Sequence, residues 1–338
     1  MAHDWLLVET LGTEPLVVAQ GREMKNLMPL AIYLRRSPHL AAIQTAIAET
    51  VATGNSLASI TPKSDRVIRT EPVQMSDGRM HGVHMWIGPA GAQPPLRPIP
   101  GPLKWDITLG VATDTVESLV NAGIDPTREP THGRAFAEDL PARGFNAEEA
   151  KVLALALDEP PGRTYCTTWV FVDSHGDTIR AGFVARTSLE PVEDGSEHVI
   201  ARAMNLRCDL DEGALPPDQL AQRILDGLSQ SGVHRALVDL GTWKLVKWLD
   251  DPCPYYDWRH SVQFHPDDRG QLIPMAEEFE TGSTSRVLRL PAVGSGWVPM
   301  HVSVNRLEVD DGRFAGLITL RLPTEAELAE AKLSGGAG

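Results

Sequence analysis

With 338 residues, 42% of them hydrophobic, and a net charge of −14 from 31 Lys and Arg against 45 Asp and Glu, the chain is long enough for two or three domains with cores of their own. It is too acidic to wrap nucleic acid, whose phosphates require a basic surface. No apolar run reaches the ~18–20 residues of a transmembrane helix, and Met-Ala-His-Asp-Trp-Leu-Leu-Val at the start lacks the basic region of a secretory signal. Cys166, Cys208 and Cys253 are far apart, odd in number and without a C-x-x-C pair. They read as buried free thiols in a reducing compartment, which places the protein in the cytoplasm.

The first block opens with two short strands, Trp5–Leu11 and Pro15–Gln20, around Gly12-Thr13-Glu14. The sequence then predicts helices over Lys25–Arg36 and Pro38–Thr53; in the second, Leu40, Ile43, Ile47 and Val51 recur at helical spacing until Gly54 stops them. Arg66–Met75 and Arg79–Ile87 form a hairpin about Ser76-Asp77-Gly78. Residues 89–102 hold six prolines. Because proline fixes φ and removes donors, this stretch is expected to be an extended, protease-sensitive linker, with 99–190 folding separately from 1–98.

The second block begins at Lys104–Leu109, crosses a polar stretch, Asn121–Gly133, and continues through a helix over Asn146–Leu157 that Asn146 caps. A strand pair, Arg163–Ser174 and Asp177–Ser188, follows, and 189–197 is a short acidic connection. The third block takes in His198–Cys208, which has no clear period, and an amphipathic helix over Pro216–Ser229 with Leu220, Ile224 and Leu228 on one face. Strands Arg235–Leu240 and Trp243–Leu249, a helix over Gly270–Phe279 and two closing hairpin segments lead to Pro323, and Thr324 is placed to cap a last helix reaching Lys332.

Three closing segments are alike: Asp77-Gly-Arg-Met-His-Gly82, His175-Gly-Asp-Thr-Ile-Arg-Ala-Gly182 and Asp311-Gly-Arg-Phe-Ala-Gly316. Each is a polar glycine turn followed by a strand that contains a glycine, at domain-sized steps. A strand–strand–helices–hairpin order, repeated three times, implies an α+β fold: three tandem domains, each an antiparallel sheet with its helices on one face. The divisions expected are 1–98, 99–190 and 191–323, with a short helix and tail over 324–338.

Within the third block, Phe264-His265-Pro266-Asp267-Asp268-Arg269 stands between the strand pair and the helix. Pro266 suits a first helical turn, and Asp267 or Asp268 is expected to cap that helix by accepting its free N–H groups. The motif in this setting resembles the turn that opens the last helix of PAS sensor domains. The second block resembles a PAS domain in strand order and terminal hairpin only. The first resembles a GAF domain or a shortened PAS domain. As a whole the chain is similar to an actinobacterial family of proteins with one GAF-like and two PAS-like domains and no effector. That resemblance implies sensing or scaffolding through a small molecule, a protein partner or self-association, with no nucleic acid and no membrane. Only fifteen residues follow Pro323, too few for an effector domain.

The competing reading is a hydrolase that uses His265 with Asp267 and Asp268. Against it, these residues are adjacent at a helix start and diverge around its axis. No phosphate loop, dinucleotide fingerprint or His-Glu-x-x-His is present. Ser295 lies between Gly294 and Gly296 but runs straight into a strand, unlike a nucleophile elbow. His81 and His84, three apart in one strand, are expected on opposite faces, where they cannot share an ion. His301 falls on the more polar face of its strand, and Trp243, Trp248, Trp258 and Trp297 read as packing. Accordingly no catalytic residue, metal or cofactor is assigned.

Overall fold

The computed structural model describes residues 4–61, 65–135, 161–173, 175–193, 195–210, 224, 227–258, 263–278, 282–310 and 313–331. They build three antiparallel sheets. The first contains β1 (Leu6–Glu9), β2 (Leu16–Gln20), β3 (Glu23–Pro29), β4 (Leu57–Ile60), β5 (Arg66–Gln74) and β6 (Met80–Pro89), in the order β3-β2-β1-β6-β5-β4. The second contains β7 (Gly101–Asp106), β8 (Val111–Asp114), β9 (Arg134–Ala135), β10 (Thr164–Val172), β11 (Thr178–Pro191) and β12 (Glu197–Cys208), in the order β10-β11-β12-β7-β8-β9. The third contains β13 (His234–Asp239), β14 (Leu245–Trp248), β15 (Ser283–Pro291), β16 (Trp297–Asp310) and β17 (Arg313–Arg321), in the order β14-β13-β17-β16-β15. In all three the opening strand lies beside the closing strand at the centre. The shared strand order bears out three antiparallel-sheet domains, but the described residues are richer in sheet than the α+β expectation.

The helices are few. In the first sheet α1 (Leu30–Tyr33) and α2 (Leu40–Thr53) fill the interval between β3 and β4. Ile43 and Ile47 of α2 bury against Val8, Val17, Val83 and Met85. Gly54, at φ 68°, ends the helix in the left-handed conformation and returns its N–H to the Thr50 carbonyl at 2.8 Å. In the second, α3 (Val116–Asn121) starts on a reciprocal cap between Thr115 and Ser118. The third has α4 (Arg269–Glu278), and α5 (Glu325–Glu330) carries the expected Thr324 cap. The helix expected over Asn146–Leu157 lies outside the described residues, as does most of the one over Pro216–Ser229.

Several expectations are corrected. Of the helix expected over Lys25–Arg36 only Leu30–Tyr33 forms; Lys25–Pro29 belongs to β3, which pairs with β2, and Met24 and Leu27 pack into an apolar cluster shared with the second sheet, so tertiary packing overrides a helical pattern there. His198–Cys208 is the closing strand of the second sheet, paired with both β11 and β7; the second block therefore extends to 208 rather than 190. Gly82 and Gly316 do occupy corresponding closing strands, whereas Gly182 lies one strand earlier, in β11, so the three hairpins are not one strict repeat. The proline stretch is pinned as well. Trp5 Nε1 donates to the Pro95 carbonyl at 3.0 Å, Asn121 Nδ2 to the Ile99 carbonyl at 2.9 Å, and Pro98 and Pro100 are buried.

The chain forms two compact units: residues 1–134 with 160–216, and 135–159 with 217–338. Inside the first unit the two sheets share a core. Leu7, Val18, Ala19 and Val73 pack against Val184, Met204 and Leu206. The approach is close enough that a Cβ on Gly182 would fall 2.2 Å from Met24 Sδ, so any larger residue would have to displace that side chain. Glu9, 2% exposed, accepts from Arg186 Nε at 2.9 Å and Nη2 at 3.2 Å. An apolar face of this kind cannot be left to water. Residues 1–210 are therefore expected to unfold in one cooperative transition, with 1–98 alone binding a hydrophobic dye, and Leu7→Ala should cost ~2–5 kcal/mol. Chemical denaturation of the two fragments, followed by tryptophan fluorescence and dye binding, measures both.

Candidate functional site

Two constellations of ionisable side chains are built into the fold. The first is the Phe264–Arg269 turn. Pro266–Asp268 is a single 3₁₀ turn leading into α4, and the tightness of that turn sends its two carboxylates in different directions. Asp268 points inward, buried. Its Oδ2 accepts the Arg289 backbone N–H at 2.7 Å and Nε at 3.1 Å, and its Oδ1 accepts Arg289 Nη2 at 2.7 Å. Asp267, 74% exposed at its side chain, reaches Arg289 only at 3.5 Å. The cap itself is His265, whose Nδ1 accepts the Asp267 N–H at 3.2 Å. The expected carboxylate cap is thus corrected: a carboxylate does bind a backbone N–H, but the N–H belongs to β15.

That contact has a structural purpose. β15 is the edge of its sheet, and an open edge exposes unpaired donors and acceptors. Here the turn substitutes for a neighbouring strand. The His265 N–H donates to the Arg289 carbonyl at 2.9 Å, Asp268 takes the Arg289 N–H, and the Asp257 N–H donates to the Pro291 carbonyl at 2.9 Å. Beneath it Trp243, at φ 61°, stands edge-on to Phe264 with ring centroids 5.3 Å apart, over a core that includes Trp248, Trp258 and Met275. His265, Asp267 and Asp268 therefore do not converge on a common point. Ser295 sits at an exposed hairpin tip, and His301 Nε2 lies 3.5 Å from Glu327, which Arg321 also holds.

The second constellation joins the first two sheets. β6 carries a bulge: Val73 faces Gly82, but Gln74 faces Met80, so His81 is the extra residue. Bulges re-aim side chains. His81 turns toward the second sheet, where its Nδ1 donates to the Ala203 carbonyl at 2.9 Å and its Nε2 accepts from Arg202 Nη1 at 3.2 Å. Arg202, 7% exposed, also holds Glu190 in a two-pronged pair at 2.8 and 2.7 Å, and its Nη2 lies 2.9 Å from Asp77. His84 lies opposite Leu7 and hence on the same side. Both of its ring nitrogens are buried without a hydrogen-bond partner, and its ring is 5.2 Å from that of Trp5. The expectation that the bulge-free alternation would put the two histidines on opposite faces is corrected.

Burial dominates the electrostatics here. It pushes the His81 imidazole down to about 4, against the pull of its bond to Ala203 and with a further push from Arg202. Burial, with Arg97 assisting, pushes His84 down to about 3. Burial opposes ionisation of Asp77 and Glu190, but their bonds to Arg202 and its charge together hold both below the usual carboxylate range. In the third sheet, burial pushes Lys247 down to about 7. Neither Lys247 nor Arg202 stands out in the sequence as a site residue; Arg202 with Arg207 is too sparse for a basic patch. The alternation about Lys247 is broken by a bulge between β13 and β14, and the partners of Arg202 come from two separate segments, β11 and the β5–β6 hairpin, so neither has a local signal.

Comparison with known proteins follows this geometry. Family models match all three parts of the chain: the Rv3651-like N-terminal model at residues 4–96, the Rv3651-like middle domain at 99–208 and the Rv3651-like C-terminal domain at 218–331. A crystal structure of an uncharacterised protein from Mycobacterium tuberculosis is 60% identical, covers 98% of this chain and 100% of its own, and superposes with a TM-score of 0.89. The chain belongs to the Rv3651-like family. Its three Rv3651-like domains coincide with the three sheets. No curated protein matches it. Two other solved structures show only faint likeness: an RNA-binding light-oxygen-voltage receptor at 8% identity and TM-score 0.24, covering 69% of this chain and 94% of its own, and the E. coli DhaR(N)–DhaL complex at 13% and 0.20, covering 60% and 79%. Likeness at that level carries no assignment. Among the described residues of this Rv3651-like chain, no helix is long and apolar enough to cross a membrane.

Two outcomes are expected. Asp268→Ala strands the Arg289 N–H and guanidinium at the sheet edge. It should cost about 1–3 kcal/mol, whereas exposed Asp267→Ala should stay within about 0.5 kcal/mol; urea denaturation separates them. Second, His81 and His84 remain neutral in the fold while the unfolded chain protonates them below its ordinary histidine pKa. Stability is therefore full above about pH 6.5 and falls as pH drops toward 4 and 3, by about 2 kcal/mol per histidine at pH 5. His84→Phe should leave stability at pH 7 equal or higher and flatten the decline between pH 6.5 and 5 by one proton's worth, measured by denaturation across pH.

Proposed function

We propose that this Rv3651-like protein is a non-catalytic sensor or scaffold of the cytoplasm: three PAS- or GAF-like modules that bind a small molecule, a partner protein or both. One observation carries the reading. Apart from His84, which is fully buried, the histidines and carboxylates of the two constellations are spent on holding the sheets. Asp268 and His265 close the edge of β15, and His81, Asp77, Glu190 and Arg202 satisfy one another between the first two sheets. An active site leaves such groups facing a cleft where a reacting atom can sit within reach of two of them. The common strand order of the three sheets supports the PAS and GAF resemblance, because strand–strand–helix–hairpin units with central opening and closing strands are what that resemblance implies. Fold by itself does not fix the work done, so the reading rests on how the polar groups are used.

The hydrolase reading requires His265 to act as a base on a nucleophile. Its Nδ1 is taken by the Asp267 N–H and its ring edge stands against Trp297, with centroids 5.1 Å apart. Purified protein is expected to show no turnover of ATP, GTP, cyclic dinucleotides or activated esters above buffer, and His265→Ala should change nothing in those assays. Turnover abolished by a single side-chain change would refute the scaffold reading.

A further inference from the structure

The corner of the third domain beside the edge-closing turn carries exposed aromatic and aliphatic residues on neighbouring backbone. Tyr255 is 45% exposed, Val293 62% and Trp297 38%. Their adjacency is fixed by the backbone. The Val293 N–H donates to the Tyr255 carbonyl at 3.2 Å, and the Ala292 N–H donates to the Gly296 carbonyl at 3.0 Å, so Val293 and Trp297 flank one hairpin tip. The tip continues into the turn through the His265–Trp297 ring contact. The whole run Val293–Trp297 is exposed.

A tyrosine, a tryptophan and a valine held together on a rigid corner are a costly surface to leave in water, and aromatic side chains are the ones over-represented at binding hot spots. The surrounding charge selects the occupant. Exposed Asp267 borders the patch through His265, which it approaches to 3.5 Å and whose ring meets Trp297. Arg289, the guanidinium between the strand and the turn, already carries Asp268 in its two-pronged pair and touches Asp267 only at 3.5 Å. Exposed Arg269 is the remaining cation described on the turn. The chain as a whole is at −14, which steers basic partners toward it and anionic ones away. Trp297 adds a π face that accepts a cation. An anionic membrane is disfavoured by the same charge.

We propose that the corner formed by Tyr255, Val293 and Trp297 is a docking surface for a basic segment of a partner protein, one that sets an apolar side chain beside a lysine or arginine. This rests on the reading of the protein as a binding module and gives that reading a place and a partner chemistry. The rigid hairpin supplies the apolar anchor point, and the exposed carboxylate of Asp267 supplies charge at its rim.

The test uses the full chain as bait for a random peptide library displayed on phage, with selected peptides then titrated in solution by fluorescence anisotropy. Peptides that place Leu, Ile or Phe beside Lys or Arg are expected. Trp297→Ser and Val293→Asp should each weaken them by about tenfold or more, and Asp267→Lys should weaken them and lessen the salt dependence. Unchanged thermal unfolding of each variant shows that the domain is intact. The proposal is overturned if the selection yields acidic sequences, or no peptide that depends on Trp297. It is equally overturned if phosphatidylcholine–phosphatidylglycerol vesicles pellet the native chain and not Trp297→Ser, or if sedimentation shows a dimer that Trp297→Ser abolishes. Peptides that bind but ignore Trp297 remove this surface and leave the scaffold reading standing; only the turnover assays bear on that.

Discussion

Each sheet depends on hydrogen bonding between its first and last strands. Leu6 pairs with Met85, Ala203 with Leu103 and Ala236 with Ile318, so no sheet exists until its closing hairpin arrives. Closing such long loops costs entropy that grows only slowly with length, and non-local pairing of this kind is slow to form. The consequence is that segments inserted between the first hairpin and the last either pack on the sheet, as α2 does, or add at its edges, as β3 and β4 do. The central position of the paired termini also pushes the intermediate strands to the edges, and those edges must be dealt with. In the third sheet the Phe264–Arg269 turn covers β15. In the first, β3 carries Met24 and Leu27 into the core shared with the second sheet.

That shared core explains why charged groups are tolerated where the two sheets meet. A buried guanidinium loses several kcal/mol of hydration, and this is recovered only when every donor finds an acceptor. Arg202 goes most of the way to that condition, each of its three nitrogens meeting an acceptor on Glu190, Asp77 or the neutral ring of His81. The bond from His81 Nδ1 to Ala203 fixes the tautomer that leaves Nε2 able to accept. Such a network stabilises little relative to an apolar substitute, but it permits one register only, since a shift of a single residue would leave several charges unpaired. The Asp77 carboxylate belongs to the β5–β6 turn, so the turn that reads as a generic hairpin from sequence also locks the docking of the second domain.

Much of the architecture was legible in local pattern. The hairpin about Asp77-Gly78, the α2 stripe of Ile43 and Ile47, the Thr324 cap and the strands around the Phe264–Arg269 turn all follow from period and turn chemistry over a few residues. What was not legible required long-range information. β3 lies in a stretch that reads as helix, and its strand geometry follows from pairing with β2 and from packing of Met24 and Leu27 against the second sheet. Residues 198–208 carried no clear period because β12 is covered on both faces, with burial continuous from Ile200 to Leu206, and a two-sided strand loses its alternation. The proline stretch was read as a free linker because composition reports stiffness, not what the stiff segment leans on. Of the candidate site, the turn was found but the direction of its carboxylates was not, since that depends on Arg289, twenty-one residues away in the chain.

Backbone strain follows the same logic. Asn26, Leu27 and Trp243 adopt φ of 47°, 56° and 61°, in a region that costs a non-glycine residue of order 1–3 kcal/mol. Such strain often marks chemistry, but here each instance has a packing cause. Asn26 and Leu27 lie where the register between β2 and β3 shifts, and the resulting bulge delivers Leu27 to the joint with the second sheet. Trp243 closes the β13–β14 turn, its N–H on the Asp239 carbonyl at 2.7 Å and two further N–H groups of the turn on the Asp239 carboxylate. That geometry sets its ring edge-to-face with Phe264, the residue that opens the edge-closing turn. Strain at one end of the third sheet thus supports the same Phe264–Arg269 segment that Arg289 holds from the other side. A turn fixed by two independent constraints is a rigid base for the exposed hairpin beside it, and rigidity in a surface lowers the entropy lost when a partner binds.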